Sequence, residues 1–148
     1  MNKIFAIALL SGSFCLGQQT KNLEVEKPIR NLFLAMKTAD PELLKTAFSD
    51  TGILQTITKD GIKSEDIKEF IASISKMAKD DLDERITIEA IHIDGNLASV
   101  FTPYSFYVKG KFSHCGANSF QLVKQQNGEW KIQYLIDTRR KDNCKEIK

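Results

Sequence analysis

The chain has 148 residues, of which 42% are hydrophobic and 27% charged, and its formal net charge is +2 at pH 7. This length suits one ordinary domain with a single hydrophobic core. The nearly balanced charge argues against a nucleic-acid-binding surface, and the basic run at residues 139–141 is better explained as a solvated end than as a phosphate-binding patch.

Residues 1–17 have the pattern of a secretory signal peptide, whose removal would leave residues 18–148 as a single domain. Lys3 supplies the positive charge, residues 4–10 form an apolar run, and Gly17 ends a small-residue cleavage site. The apolar run is too short to span a bilayer, which takes roughly 20 residues. We therefore expect the leader to be cleaved rather than kept as a membrane anchor.

A lipoprotein is the alternative interpretation of this leader, with Cys15 as the acylated residue. Bulky Phe14 argues against it, because it precedes the cysteine where lipid-attachment sites favour a small residue. No second apolar run follows, so we expect an exported protein without stable membrane insertion, either periplasmic or secreted.

The first half of the mature chain is predicted to be mainly helical. Apolar residues recur at helical spacing over residues 22–38, which predicts an amphipathic helix. Asp40 followed by Pro41 is a typical helix start and predicts a second, short helix through Phe48.

A short hairpin and a third helix are predicted next. The β-branched content of residues 53–58 predicts a strand, and residues 59–61 have the composition of a tight turn. Ser64 is predicted to cap the helix that follows. The predicted buried stripe of this helix consists of Ile67, Phe70, Ile71, Ile74 and Met77.

The second half of the chain is predicted to be a meander of long strands. Its apolar residues alternate, but the isoleucines before residue 89 are out of phase with those after residue 90, which predicts a β-bulge there. Turn residues then separate three longer strands, predicted at residues 97–108, 112–125 and 130–139.

Cysteine usage supports the predicted export. Without the leader, Cys115 and Cys144 are the two remaining cysteines, and an even number in an exported chain suggests one disulfide. Two free thiols are one alternative, and a zinc site with His114 is another. Zinc needs three or four ligands, and His92 is the only other histidine in the sequence. We therefore expect a disulfide, with no metal ion and no cofactor.

Several motifs occur in this order of elements: Phe112-Ser-His-Cys-Gly, the aromatic strand around Tyr104, Gly128-Glu-Trp-Lys-Ile and Asp137-Thr-Arg. Together they resemble the nuclear transport factor 2-like superfamily, and within it the putative lumazine-binding or SnoaL-like group of bacterial proteins. The resemblance covers about residues 23–144. It implies an α+β cone, in which three N-terminal helices pack in a strongly curved, mainly antiparallel sheet, and a pteridine-like ligand.

Strand parity places His114 on the same face as Phe112 and Asn118, so we expect it to point toward the concave side of the sheet. A histidine in a cavity could shuttle protons near neutral pH, and the alternative is a histidine hydrogen-bonded within the sheet or core. Tyr104 follows Pro103, which marks a bend or an edge, and is a candidate pocket residue. By the same parity argument His92 should lie on the surface.

The last predicted strand carries three further candidates. Asp137 and Arg139 share one face and form either a surface ion pair or a pair at the cone mouth that gates an anionic ligand. Aromatic residues such as Tyr134 line either the core or a ligand platform. The candidate ligand-binding residues are therefore Tyr104, His114, Asn118, Tyr134, Asp137 and Arg139.

The leading functional hypothesis is an exported protein that binds a small, partly apolar molecule inside the cone. One alternative is a cofactor-free lyase or isomerase with His114 as the general base and Tyr104 as the hydrogen-bond donor. The resemblance implies it, because ketosteroid isomerase and scytalone dehydratase place acid–base side chains inside such a cone. Another alternative is a non-catalytic module that forms a homodimer through the outer face of the sheet.

Overall fold

The structure, a computed structural model, describes residues 13–147, so most of the predicted leader lies outside the described residues. Three helices precede the main part of the sheet: α1 (Ser13–Thr38), α2 (Pro41–Ala47) and α3 (Ile67–Ile74). Among the described residues, no helix is both long and apolar enough to cross a membrane. The strands are β1 (Phe48–Thr58), β2 (Gly61–Glu65), β3 (Leu82–Ile86), β4 (Ala90–Asp94), β5 (Leu97–Val108), β6 (Lys111–Lys124) and β7 (Trp130–Thr138).

Carboxylate caps start both short helices. The Asp40 side chain accepts a hydrogen bond from the backbone of α2, as predicted. The start of α3 was expected at Ser64 but lies at Asp66, whose carboxylate accepts from the Lys68 and Glu69 amides at 2.8 and 3.0 Å. Ser64 cannot cap the helix because it is still paired within the hairpin of β1 and β2.

The predicted apolar stripe of α3 is only partly correct. Ile74 is buried, and Ile67, Phe70 and Ile71 pack against the core. Met77, in contrast, lies beyond the end of the helix and is 40% exposed. The helical period cannot extend to a residue after the helix has ended.

The strands form one curved, mixed sheet in the order β2-β1-β7-β6-β5-β3, and β4 pairs with the other half of the β5 edge. Neighbouring strands in this sheet are antiparallel, except for β1 and β7, which run parallel. The helices cover the concave face, where α1 supplies Val25, Ile29 and Leu32 to a core that also contains Phe120 and Ile132. The predicted order of helix, helix, hairpin, helix and meander is therefore confirmed.

One-residue bulges decide which side chains face the concave side. Three residues separate Ile86 from Ala90, whereas two separate their partners on β5, so the bulge predicted near residues 89–90 is confirmed. A second irregularity lies in β6, where Phe106 pairs with His114 but Tyr107 pairs with Phe112.

The bulge in β6 overturns one expectation. The extra residue between Phe112 and His114 reverses the parity, so these two side chains do not share a face. The Phe112 ring instead lies edge-on to Tyr107, 5.8 Å away, on the convex face. The expected parity of His114 with Asn118 is unaffected, because the bulge lies before both residues.

The segment after β7 is fastened to the convex face. Cys115 and Cys144 form the predicted disulfide, with 29 residues of sequence separation. Arg140 and Cys115 exchange two backbone hydrogen bonds of 2.9 Å, which extend the pairing beyond β7. Near the end, the Tyr107 hydroxyl donates to the Glu146 carboxylate at 2.5 Å. The C-terminal segment therefore has both a covalent and a hydrogen-bonded attachment to β5 and β6.

Candidate functional site

A cavity of about 220 Å³ lies between the concave face of the sheet and the helices. Its helical side is apolar, and its sheet side carries polar groups from five strands. The apolar wall includes Leu32, Phe33 and Met36 of α1, Phe70 and Ile74 of α3, and Phe106 of β5. The polar end includes Glu84, Tyr104, His114, Asn118, Asp137 and Arg139.

This cavity brings together five of the six residues predicted to bind a ligand. Tyr134 is the exception, because it lies on the convex face and donates its hydroxyl hydrogen to Gln55 at 2.7 Å. An irregularity in β7, where Gln121 pairs with Tyr134 but Leu122 pairs with Ile132, turns Tyr134 away from the face of Ile132. From Tyr134 to Asp137 the pairing is regular, so these two side chains alternate to opposite faces. His92 is exposed on the surface, as predicted.

Asp137 is the centre of a buried hydrogen-bond network. Its carboxylate accepts from the Thr56 hydroxyl at 2.5 Å, from Arg139 Nε at 2.9 Å and from the Tyr104 hydroxyl at 3.2 Å. A surface ion pair between Asp137 and Arg139 was one of the two alternatives from the sequence. It is wrong for Asp137, which is only 7% exposed. The parallel neighbour β1 covers it, since Thr56 is its direct partner across the two strands.

Tyr104 is held at the base of the cavity by its hydroxyl group. This group also lies 2.8 Å from the Thr138 carbonyl oxygen, to which it donates. Burial, with the negative charge of Asp137, raises the pKa of Tyr104 well above its ordinary value, so the phenol is neutral. Gly116 allows this approach, because a side chain there would collide with the Thr138 carbonyl and the Tyr104 ring.

Glu84 was not among the predicted site residues. It lies on β3 and accepts a hydrogen bond from the Asn118 side-chain nitrogen at 2.8 Å. Burial raises the pKa of the Glu84 carboxyl to about 7; the Asn118 hydrogen bond opposes this, and the charge of Asp137 adds to it. Glu84 therefore changes its charge near neutral pH.

The alternation of side chains along β3 could have identified Glu84 from the sequence. Glu84 alternates with Leu82 and Ile86, which also point to the concave side, but it lies in a run of three charged residues that resembles a solvated strand. Its neighbours Asp83 and Arg85 pair with each other at 2.9 Å. The charged run is thus divided between the two faces of the strand.

His114 packs among aromatic rings at the polar end. Its ring centroid lies 5.7 Å from that of Tyr104 and 5.0 Å from that of Phe106. Its Nδ1 atom is 3.1 Å from the Ser113 hydroxyl. Burial, with the positive charge of Arg139, lowers the pKa of His114, so the imidazole is neutral at pH 7.

Solved structures with this architecture define the class of protein. The chain is similar to a nuclear transport factor 2-like protein of unknown function from Shewanella baltica, with 17% identity, a TM-score of 0.67, and coverage of 82% of this chain and 95% of the other. It is also similar to a putative scytalone dehydratase from Novosphingobium aromaticivorans, with 12% identity, a TM-score of 0.68, and coverage of 85% and 88%. The protein therefore has the nuclear transport factor 2-like fold, as the resemblance implied.

A family model narrows this assignment. The model described as putative lumazine-binding matches residues 20–134. The chain belongs to this family. No curated protein matches the chain.

Proposed function

We propose that this protein binds a small, partly apolar molecule in the cavity between the helices and the sheet. The observation that carries the proposal is the cavity itself, which has an apolar wall on α1 and α3 and a hydrogen-bonding end on the sheet. Such a combination is typical of small-molecule sites. Its volume of about 220 Å³ is below the range of about 300–1,000 Å³ for drug-sized ligands. The expected ligand is correspondingly small.

The proposed contacts extend the set derived from the sequence. Tyr104, His114 and Asn118 remain candidates, and Glu84 joins them as the residue whose charge changes near neutral pH. The family description supports a small molecule as the partner, and the name of one similar structure supports a dehydratase-like chemistry as the alternative.

A thermal-shift screen with a matched pair of variants tests the binding proposal. Pteridines, steroids, polyketides, amines and small aromatics should include a ligand that raises the melting temperature, since a ligand at a hundred times its Kd stabilises by about 2.7 kcal/mol. Ser73 lines the cavity, whereas Ser75 is exposed just after α3. Ser73→Met should abolish the shift by filling the cavity, and Ser75→Met should preserve it. An equal shift in both variants, or no shift with any compound, would contradict the proposal.

Acid–base catalysis is a second candidate, with Glu84 rather than His114 as the base. The supporting observation is the Glu84 pKa of about 7, because a general base works best when its pKa is near the working pH. It ranks second because Tyr104, the expected donor to an oxyanion, already donates to Thr138 and Asp137.

Deuterium exchange at the carbon beside the carbonyl of phenylacetone tests this candidate. An ionised Glu84 would remove a proton and return a deuteron in D₂O, so the rate above buffer should rise as the pH passes through about 7. Proton NMR follows the loss of signal. The same exchange rate in Glu84→Gln would exclude Glu84 as the base.

Export to the periplasm or the medium is the third part of the proposal. The signal-like residues 1–17 and the disulfide support it, because disulfides persist mainly in oxidising compartments. Intact-mass analysis of the protein from its native host should find cleavage after Gly17. A full-length chain, or a lipid on Cys15, would be inconsistent with this.

A further inference from the structure

We infer that the cavity selects small apolar molecules that carry a positively charged nitrogen able to donate hydrogen bonds, such as a primary ammonium group. The inference rests on the binding function proposed above and names the class of its ligand. It follows from how the polar groups of the cavity are already used within the protein.

The hydrogen-bond donors of Tyr104 and Asn118, at the polar end, are occupied. The Tyr104 hydroxyl donates to the Thr138 carbonyl oxygen at 2.8 Å. The Asn118 side-chain nitrogen has two hydrogens, and it donates to Glu84 Oε1 at 2.8 Å and to Thr102 Oγ1 at 3.3 Å. A ligand that only accepts hydrogen bonds would therefore find no free donor on these two side chains.

Acceptors, in contrast, remain open. Only one oxygen of the Glu84 carboxylate receives a hydrogen bond from the described residues. The side-chain oxygen of Asn118 receives none from them, although Asn118 is only 4% exposed and lines the cavity. Asn118 donates through its amide nitrogen to Glu84, and an ionised carboxylate can only accept, so the Asn118 oxygen stays available. Open acceptors in an enclosed site favour a ligand that supplies donors.

The charges that line the cavity favour a cation. Glu65, Glu84 and Asp137 supply three carboxyl groups, and Arg139 is the cation among the lining residues. Arg139 is committed to Asp137 at 2.9 Å, and its Nη2 atom also donates to the Thr56 hydroxyl at 3.0 Å. The anionic ligand considered from the sequence would therefore compete with Asp137 for Arg139.

Of the three lining carboxyl groups, Glu65 and Glu84 have no ion pair with the described residues, and Glu84 is the less exposed of the two. The titratable and polar groups that face it are Asn118, Asp137, Arg139 and Tyr104, and Arg139 pairs with Asp137 rather than with it. A ligand ammonium at this position would stabilise the ionised carboxylate and satisfy its second oxygen. Phenylalanine rings on the opposite wall would enclose the apolar body.

Three probes of similar size but different charge test the inference: 2-phenylethylamine, 2-phenylethanol and phenylacetate. Each is titrated into the purified protein at pH 7.5 and followed by protein-observed NMR. The amine should bind about tenfold or more tightly than phenylacetate, and more tightly than the alcohol, because its charge lies within a few Å of a partly buried carboxylate. Equal or tighter binding of phenylacetate or phenylethanol would overturn the inference and leave the binding function intact.

A matched pair of variants assigns the selectivity to one carboxyl group. Glu84→Gln keeps the acceptor for Asn118 but removes the charge, so the preference for the amine should largely disappear. Glu89→Gln removes an exposed carboxylate whose side chain makes no hydrogen bond or ion pair with the described residues, and it should keep the preference. If Glu89→Gln lost as much selectivity for the amine as Glu84→Gln does, the preference would come from the net charge of the protein, and the inference would be wrong.

Proton linkage provides an independent measurement if Glu84→Gln folds poorly. Binding of the amine should release protons near pH 7, which calorimetry in two buffers of different ionisation enthalpy detects. Binding of the amine without proton release would contradict a contact with Glu84. No binding by any of the three probes would overturn the inference, whereas the binding function would still be judged by the thermal-shift screen.

Discussion

Two carboxyl groups in the same cavity have opposite environments. Asp137 accepts hydrogen bonds from Thr56, Tyr104 and Arg139, so its negative charge is well satisfied although it is buried. Glu84 accepts from Asn118 and has no cationic partner among the described residues. Burial raises the pKa of Glu84 to about 7, so this group changes its charge near neutral pH.

This difference predicts a pH-dependent stability change in Glu84→Gln. The folded pKa of Glu84, about 7, lies above the ordinary value of 4.5, so the native state holds this proton more tightly than the unfolded state does. The stabilisation that this tighter proton binding gives to the folded state is therefore complete below about pH 4.5, and it is lost as the pH rises to about 7. The loss amounts to up to about 3 kcal/mol. Glutamine does not titrate, so Glu84→Gln should not show this loss. The free energy of unfolding of Glu84→Gln minus that of the natural protein should therefore be larger at pH 8 than at pH 5.

Urea denaturation at pH 5 and pH 8 measures this effect, with Glu89→Gln as the control. The control should follow the natural protein at both pH values, because Glu89 is exposed. A constant difference between Glu84→Gln and the natural protein at the two pH values would show that Glu84 has an ordinary pKa.

At the scale of elements, the strands were predictable because their signals are local. The turn glycines Gly95, Gly110 and Gly128 all have positive φ, which other residues adopt at a cost, so they mark the ends of strands in the sequence. β5 occupies the predicted residues 97–108. The irregularities in β6 and β7 were not predicted, because each depends on pairing with a neighbouring strand. The one in β6 puts the Phe112 side chain on the face opposite to the one expected.

The disulfide should contribute a measurable part of the free energy of unfolding. In the chain-entropy model, closing the loop between Cys115 and Cys144 stabilises the fold by about 3–4 kcal/mol. The double variant Cys115→Ala/Cys144→Ala should lose about this much free energy of unfolding in urea. The natural protein treated with dithiothreitol is the matched control and should show a similar loss. Thiol titration of the denatured, unreduced protein should find no free thiol, and two reactive thiols would contradict the disulfide.

At the scale of the whole molecule, the two faces of the sheet differ in character. The concave face forms the core and the cavity. The centre of the convex face has no charged residue among its described positions, which is unusual in a chain with 27% charged residues. Its members on β5, β6, β7 and β1 include Phe101, Ser119, Gln121, Tyr134, Ile136 and Ile53. A neutral face can meet a copy of itself without placing like charges together.

This surface supports the homodimer expected from the sequence, which stays a prediction. Light scattering after size-exclusion chromatography should give the mass of a dimer for the natural protein. Phe101 is 42% exposed on the convex face, so Phe101→Lys should produce a monomer. Leu34→Lys alters an exposed apolar residue of α1 and should remain dimeric. A monomeric natural protein would exclude this interface.

The sequence by itself determined the order of the elements, the disulfide and most of the residues at the polar end of the cavity. These features depend on local periodicity, turn residues and composition, which a single chain displays directly. Only the tertiary structure decided that Asp137 is buried, that Tyr134 faces outward and that Glu84 titrates near neutral pH. Each depends on strand register and on burial by groups distant in sequence, and a one-residue bulge is enough to reverse the face that a side chain occupies.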